Sequence, residues 1–121
     1  MIPSNIVHLM VNNENQNLNL IFSALSDPTR RAMVQRLMQG QATVRELSAP
    51  FDISKPAITK HLKVLERAGL MRRTVIGREH WCTLNAEPFS EVSRWLAFYE
   101  SFWNQRLDEL DAFITKDGKE P

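Results

Sequence analysis

The sequence predicts a mainly α-helical fold with one small β-hairpin, in the order α-α-α-α-β-β-α. Three observations indicate this order: apolar residues recur at helical spacing, capping residues and prolines separate the helices, and β-branched and aromatic residues flank a glycine after Leu70. The chain has 121 residues and is 43% apolar, which is enough to bury one core. We expect one domain over residues 15–115, with a flexible arm over 1–14 and a tail over 116–121.

The first two helices are predicted on either side of a Ser-Asp-Pro turn. Apolar residues of the first helix repeat at the spacing of one helical face, namely Leu18, Ile21, Phe22 and Leu25. In "SDPTRRAMVQRLMQG", Asp27 is a candidate N-cap, Pro28 suits the first helical position and Gly40 is placed to end the helix. The buried stripe of this second helix is expected to comprise Met33, Val34, Leu37 and Met38.

The next two helices have the spacing of a helix-turn-helix. In "TVRELSAPF", Thr43 can cap a third helix, Glu46 completes a capping-box spacing, and Pro50 limits the helix to about two turns. The residues "DIS" then join it to a fourth helix in "SKPAITKHLKVLERAGL", which Ser54 can cap and Gly69 can end. Its apolar side consists of Ile58, Leu62 and Leu65.

A hairpin and a long helix complete the chain. The stretch "MRRTVIGREHWCTLN" predicts two short strands around a turn at Gly77. The last helix is predicted from about Pro88 to Ile114, because apolar residues recur there at alternating spacings of three and four. With a hairpin after the fourth helix, the predicted fold is a winged helix-turn-helix.

Positive charge is concentrated in one part of the chain. Residues 54–78 contain seven basic residues and one acidic residue, whereas the remainder contains eight basic and thirteen acidic residues. Such asymmetry favours a polyanionic partner at one face, and nucleic acid is the commonest polyanion. A solvated basic surface without a partner is the alternative.

The basic residues of the fourth helix lie opposite its apolar side. On a helical wheel, Pro56, Lys60, Lys63 and Arg67 oppose the apolar stripe, and Thr59 lies on one flank. A helix end with lysine and threonine suits the major groove, where lysine donates to guanine and threonine contacts a polar edge or a thymine methyl. Three arginines of the hairpin would reach the flanking backbone or minor groove: Arg72, Arg73 and Arg78. The predicted partner is therefore double-stranded DNA.

Two segments resemble a known family, the ArsR/SmtB-type winged-helix transcriptional repressors. They are "FSALSDPTRRAMVQRL" and "SKPAITKHLKVLERAGLMRRTVIGREHWCTLN", and the resemblance extends over about residues 18–114. It is closer to the metal-free branch of the family. The resemblance implies a homodimeric repressor, often an autorepressor, that occludes a palindromic operator and dimerises through its first and last helices. With Lys63 and Arg73 added from the charge pattern, the expected DNA-binding residues are Ser54, Lys55, Pro56, Thr59, Lys60, His61, Lys63, Arg73 and Arg78.

Two of these positions need comment. His61 lies beside the apolar stripe, so a hydrogen-bonded structural role and a phosphate contact are both open. Lys55 stands where many relatives have glutamine, so the family's base preference does not transfer to this chain.

A metal or thiol sensor is a less favoured alternative. Metal-sensing relatives use cysteines on the third helix or histidines on the last, and this chain has neither there. His80 and Cys82 lie two apart on a predicted strand, but two ligands fall short of the usual four, and Cys82 has no second cysteine to resolve an oxidised form. We predict no metal and no cofactor, and the inducing signal stays open.

The last helix is predicted to form the dimer interface with the first. Seven of the ten aromatic residues lie between Phe89 and Phe113, more than a small domain can readily cover. A ligand pocket on this helix is the alternative. The expected interface residues are Leu18, Ile21, Phe22, Trp95, Tyr99, Phe102, Trp103 and Leu110.

Other functional classes find little support in the sequence. No nucleophile with a partner, phosphate-binding glycine loop or carboxylate pair is evident, so we expect no enzyme activity. No run reaches the roughly 18 apolar residues of a membrane helix, and the start lacks a signal-peptide pattern, so a cytoplasmic protein is expected. A winged helix used for protein–protein contact remains an alternative to DNA binding.

Overall fold

The computed structural model describes residues 15–118, and their side chains over residues 17–115. Within these described residues the elements follow in the order α1 (Asn15–Leu25), α2 (Pro28–Met38), β1 (Ala42–Thr43), α3 (Val44–Ser48), α4 (Lys55–Arg67), β2 (Met71–Ile76), β3 (Glu79–Leu84) and α5 (Glu87–Gly118). The predicted order is confirmed, with β1 as an addition. The predicted arm over 1–14 lies outside the described residues.

The described chain divides into two compact units, one ending at Phe89 and the other beginning at Ser90. The first unit contains all elements up to the start of α5, and the second is the rest of that helix. None of the described helices, α5 included, is both long and apolar enough to span a bilayer.

The predicted caps of the helix-turn-helix are confirmed. Thr43 Oγ1 accepts a hydrogen bond from the backbone N–H of Glu46 at 3.1 Å, and Ser54 Oγ accepts from that of Ala57 at 3.2 Å. The carboxylate of Glu46 is paired with Arg36 at 3.2 Å and links α3 to α2. Helix α3 has five residues, shorter than the predicted two turns.

The core of the first unit is built from apolar residues of every helix within it and of the sheet. Its most deeply buried large side chains are Ile21, Met33, Leu47, Leu62, Leu65, Leu70 and Cys82. The prediction that Met38 is buried is wrong, because 70% of this residue is exposed. Met38 follows Leu37 by one residue, about 100° further around α2, and this rotation moves its side chain beyond the buried arc.

The hairpin forms an antiparallel sheet with β1, in the order β1-β3-β2. Strands β2 and β3 pair from Met71 with Leu84 to Ile76 with Glu79, which leaves a two-residue loop. Gly77 opens that loop at a φ of +65°, the backbone that a type II′ turn requires at its first position. The predicted turn at Gly77 is therefore confirmed, and Arg78 lies at the tip of the wing.

Candidate nucleic-acid interface

One side of α4 is buried and the other presents exposed cations. Ile58, Leu62 and Leu65 are buried as predicted. The exposed residues of the opposite side and its flank are Lys55, Pro56, Thr59, Lys60, Lys63 and Arg67. Within residues 17–115, none of these lysines or this arginine has an ion-pair partner, so their charges remain available to an external anion.

Two hydroxyl groups at the start of α4 are engaged within the helix. Ser54 Oγ caps α4, and Thr59 Oγ1 donates to the carbonyl of Lys55 at 3.0 Å. While that bond holds, Thr59 offers a nucleic acid only its lone pairs and its methyl group. These suit an amino group or a thymine methyl in the major groove.

The wing contributes cations of two kinds. Arg78 at its tip and Arg72 on β2 are exposed, and neither forms an ion pair within residues 17–115. Arg73 differs, because its Nη2 lies 2.8 Å from Glu66 Oε1 on α4 and its side chain is only 25% exposed. The charge of Arg73 is therefore paired within the chain, and its contact with DNA stays a prediction.

His61 also turns away from the exposed face. Its Nδ1 lies 2.9 Å from Arg30 Nη1 and 3.8 Å from Asp27 Oδ2, and its side chain is 19% exposed. Arg30 also donates to the carbonyls of Ala24 at 2.7 Å and Ser23 at 3.1 Å. Of the two roles open for His61, these contacts favour the hydrogen-bonded one, and a contact of His61 with DNA stays a prediction.

Asp27 takes part in the same cluster. Its Oδ2 accepts from the backbone N–H of Arg30 at 3.1 Å, which confirms the predicted N-cap of α2. Burial raises the pKa of Asp27, but the hydrogen bond from the backbone N–H of Arg30, the charge of His61 when it is protonated and the charge of Arg30 outweigh this effect, so the net pKa is lowered. The cap is evident in "SDPTRR", whereas no sequence pattern indicates that the long side chain of Arg30 folds back onto the end of α1.

Comparison with known proteins agrees with this geometry. A family model of the helix-turn-helix domain matches residues 25–74, from the end of α1 into β2. The transcriptional repressor SdpR of Bacillus subtilis is 33% identical over 79 residues, which cover 65% of this chain and 88% of SdpR. The HTH-type transcriptional regulator Rv2034 of Mycobacterium tuberculosis is 33% identical over 97 residues, which cover 80% of this chain and 88% of the relative. The chain belongs to the ArsR/SmtB family of winged helix-turn-helix transcriptional regulators.

A solved structure supports the same assignment. The crystal structure of an ArsR family transcriptional regulator is 46% identical, with a TM-score of 0.71, and the match covers 74% of this chain and 93% of that one. Membership of the ArsR/SmtB family makes this chain a DNA-binding protein of transcription regulation. In a helix-turn-helix the second helix enters the major groove, and the second helix of this one is α4.

Metal ligands of the kind used by ArsR/SmtB metal sensors are not gathered in the part of the chain that the structure describes. No three His, Cys, Asp or Glu side chains in that part lie close enough to hold a metal ion. Cys82 is fully buried on β3 opposite Ala42, and burial raises the pKa of its thiol. A protonated, enclosed thiol is a poor nucleophile and a poor metal ligand.

The apolar face of α5 is exposed over most of its length. Among the predicted interface residues, Tyr99, Phe102, Trp103 and Leu110 are 42–58% exposed, and Trp95 is half-buried. The rings of Trp95 and Tyr99 lie 4.6 Å apart, and Arg106 lies 5.2 Å above the ring of Phe102. This helix therefore presents a large apolar surface to its surroundings.

The predicted residues of α1 divide between the core and the surface. Leu18 and Ile21 are 7% and 2% exposed, which leaves a second chain almost nothing of them to contact. Their place is in the core of the first unit, and their part in a dimer interface stays a prediction. Phe22 is 38% exposed and remains available.

Proposed function

We propose that this ArsR/SmtB-family chain is a homodimeric repressor that binds a palindromic operator in double-stranded DNA and represses transcription by occluding it. The observation that carries the proposal is the exposed, unpaired basic side of α4, with Lys60 and Lys63 at its centre and Arg78 at the nearby wing tip. Phosphate contacts by such cations supply affinity, and the N-terminal residues of the helix supply base contacts.

The exposed face of α5 supports a homodimer. Apart from Phe98, its large apolar side chains between Leu96 and Ile114 are 42–64% exposed, and soluble proteins rarely leave so long an apolar stripe uncovered. Apolar residues at spacings of three and four suit packing against an identical helix. Two copies related by a two-fold axis would present two α4 helices to half-sites about 34 Å apart, which is why the operator is expected to be palindromic.

Metal-independent regulation is part of the proposal. Helix α3 contains no cysteine or histidine, and Cys82 is enclosed by the core. Soft metal ions need accessible thiolates or imidazoles, and this chain offers no clustered set of them within its described residues. We therefore expect DNA affinity to be unchanged by zinc or by a chelator.

The proposal is tested by fluorescence anisotropy with the DNA upstream of the chain's own gene and with a scrambled duplex of equal length, at two salt concentrations. We expect tight, salt-sensitive binding to the upstream DNA and much weaker binding to the control, because base-specific contacts add binding free energy to that of the phosphate contacts. Equal, weak and salt-insensitive binding of both duplexes would overturn DNA recognition and favour a winged helix used for protein contacts. Selective binding with a 1:1 stoichiometry of chain to operator would overturn the dimer alone.

A further inference from the structure

The side chain of Arg30 joins three helices through one guanidinium group. Its Nε and Nη2 donate to the carbonyls of Ala24 and Ser23 at the end of α1, and its Nη1 lies 2.9 Å from His61 Nδ1 on α4. The first two contacts place a cation at a helix C-terminus, where the helix dipole favours it. The third is the one that reaches the DNA-facing helix.

The third contact defines which atom is the acceptor. Arginine has only donors, so His61 Nδ1 accepts in this contact, which requires the tautomer with its proton on Nε2. Protonation of His61 would replace the Nδ1 lone pair with an N–H directed at a guanidinium. The hydrogen bond would be broken, and two positive groups would face each other.

The carboxylate of Asp27 would offset part of the repulsion between a protonated His61 and Arg30. Its Oδ2 lies 3.8 Å from His61 Nδ1 and would attract an imidazolium, but it already accepts from the backbone N–H of Arg30. Two other arginines on elements that pack against α4 are engaged elsewhere: Arg31 donates to the carbonyl of Leu25, and Arg73 pairs with Glu66. The described part of α1 contains no titratable residue.

We infer that His61 is a positioning residue for DNA recognition: in its neutral form it accepts from Arg30 and holds α4 in the orientation that reads the operator, and its protonation releases α4. The inference rests on the proposed function. His61 lies directly between Lys60, on the exposed side, and Leu62, in the core. Loss of the Arg30–His61 contact would leave α4 free to shift against α1 and α2, while each cation keeps its access to phosphate.

This arrangement predicts which contribution to DNA binding changes when the pH falls. Base contacts depend on the placement of α4 to within a fraction of an ångström, whereas phosphate contacts tolerate displacement. Acidification should therefore reduce the ratio of operator affinity to scrambled-DNA affinity and leave the salt slope on scrambled DNA unchanged. A histidine that contacts phosphate directly would act in the opposite direction, because its positive charge would tighten binding as the pH falls and steepen the salt slope.

The test measures anisotropy with operator and scrambled DNA between about pH 8 and about pH 5.5, the range in which histidine changes charge. For the wild-type chain we expect the affinity ratio to fall about tenfold on acidification, the size of one broken charge-assisted hydrogen bond. His61→Leu should have the low ratio at every pH. His61→Asn, which keeps an acceptor near the Nδ1 position but does not titrate, should keep a high ratio that no longer depends on pH.

His80→Asn provides the matched control, since His80 is an exposed histidine outside the cluster. It should keep the pH dependence of the wild type, and disappearance of that dependence would assign the response to His80 and overturn the inference. Tighter operator binding at low pH, or a pH-dependent ratio in His61→Asn, would overturn it as well. Circular dichroism under each condition checks that the chains are folded. If His61→Leu does not fold, the pH profile of His61→Asn against that of the wild type still decides the matter.

Failure of this inference is distinguishable from failure of the proposed function. A wild-type chain that never prefers operator over scrambled DNA refutes the proposed function. A wild-type chain that discriminates equally well at every pH, and keeps that discrimination in His61→Leu, refutes only the role of His61.

Discussion

Arg73 Nη2 on β2 lies 2.8 Å from Glu66 Oε1 near the end of α4, so one ion pair joins the wing to α4. Arg73 Nε is buried and has no hydrogen-bond partner within the described residues. A half-buried guanidinium with one unsatisfied donor depends strongly on its remaining partner. The single acidic residue within the basic stretch 54–78 thus serves to hold the wing in place beside α4.

Removal of Glu66 is expected to destabilise the fold. Glu66→Ala should lower the free energy of unfolding by about 1 kcal/mol, because it leaves the Arg73 guanidinium without a carboxylate in a partly buried site. Urea denaturation followed by circular dichroism measures this change. Glu46→Ala is the matched control, since Glu46 pairs with Arg36 at 3.2 Å on a more exposed surface, and we expect a decrease of under about 0.5 kcal/mol. Equal decreases in the two variants would contradict a special role for the Arg73–Glu66 pair.

Lys60 and Lys63 should contribute affinity without sequence preference. Each single substitution to alanine is expected to weaken binding to operator and scrambled DNA alike, and to reduce the magnitude of the salt slope by about 1, because one phosphate is no longer neutralised. Titrations at several salt concentrations measure the slope. Arg94→Ala removes one positive charge from an exposed position of α5 and should leave the slope unchanged. A salt slope that stays at the wild-type value in both lysine variants would place them outside the interface.

Lys55 and Thr59 should contribute sequence preference instead. Lys55→Ala or Thr59→Ala is expected to lower the discrimination between operator and scrambled DNA by about 1 to 3 kcal/mol for each base that the variant no longer reads. The scrambled-DNA affinity of Thr59→Ala should hardly change, since threonine carries no charge. Unaltered discrimination in both variants would show that another part of the chain reads the bases.

The sequence predicted the elements of this fold well because its local signals agree with one another. Asp27, Thr43 and Ser54 each cap the helix expected of them, and Gly77 supplies the backbone that the hairpin turn needs. Strand β1 escaped prediction because two residues are too few to show a period. Its formation depends on pairing with β3, a contact between residues about 40 positions apart.

The direction of individual side chains was harder to predict. Arg73 and His61 belong to the basic stretch, but the partners that turn them inward, Glu66 and Arg30, lie 7 and 31 residues away. A count of basic residues along the sequence does not show which of them form ion pairs or hydrogen bonds with distant residues in the fold. Likewise, Leu18 and Phe22 share a helical stripe, but the neighbouring elements cover only the first of them.

Burial of Cys82 should make the free energy of unfolding decrease at high pH. Burial raises the pKa of its thiol above the ordinary value of 9.0, the nearby Arg73 charge lowers it, and the Glu66 charge raises it. A raised pKa in the folded state adds stability that is fully present below the unfolded thiol's pKa and is lost as the pH rises through the folded value. The unfolding free energy of the wild type should therefore fall relative to that of Cys82→Ala above about pH 9.

A thiol reagent provides a second measurement on Cys82. Native protein should react with Ellman's reagent far more slowly than urea-unfolded protein, since the enclosed thiol reacts only when the sheet opens. Rapid reaction in the native state, accompanied by loss of DNA binding, would revive the thiol-responsive alternative.

The apolar stripe of α5 should decide the oligomeric state. Leu110 lies within the stripe and is 53% exposed, so Leu110→Glu would place a charge in the middle of a helix–helix seam. Phe98→Glu is the control, because Phe98 is 67% exposed but lies about 120° around the helix from Leu110. We expect sedimentation equilibrium to give a dimer for the wild type and for Phe98→Glu, and a monomer at micromolar concentration for Leu110→Glu.

The monomeric variant should keep its scrambled-DNA salt slope per chain and lose most of its operator preference, since two half-sites would no longer be bound together. Dimers in both variants would mean that subunits associate elsewhere, and monomers in both would mean that Phe98 also lies in the seam.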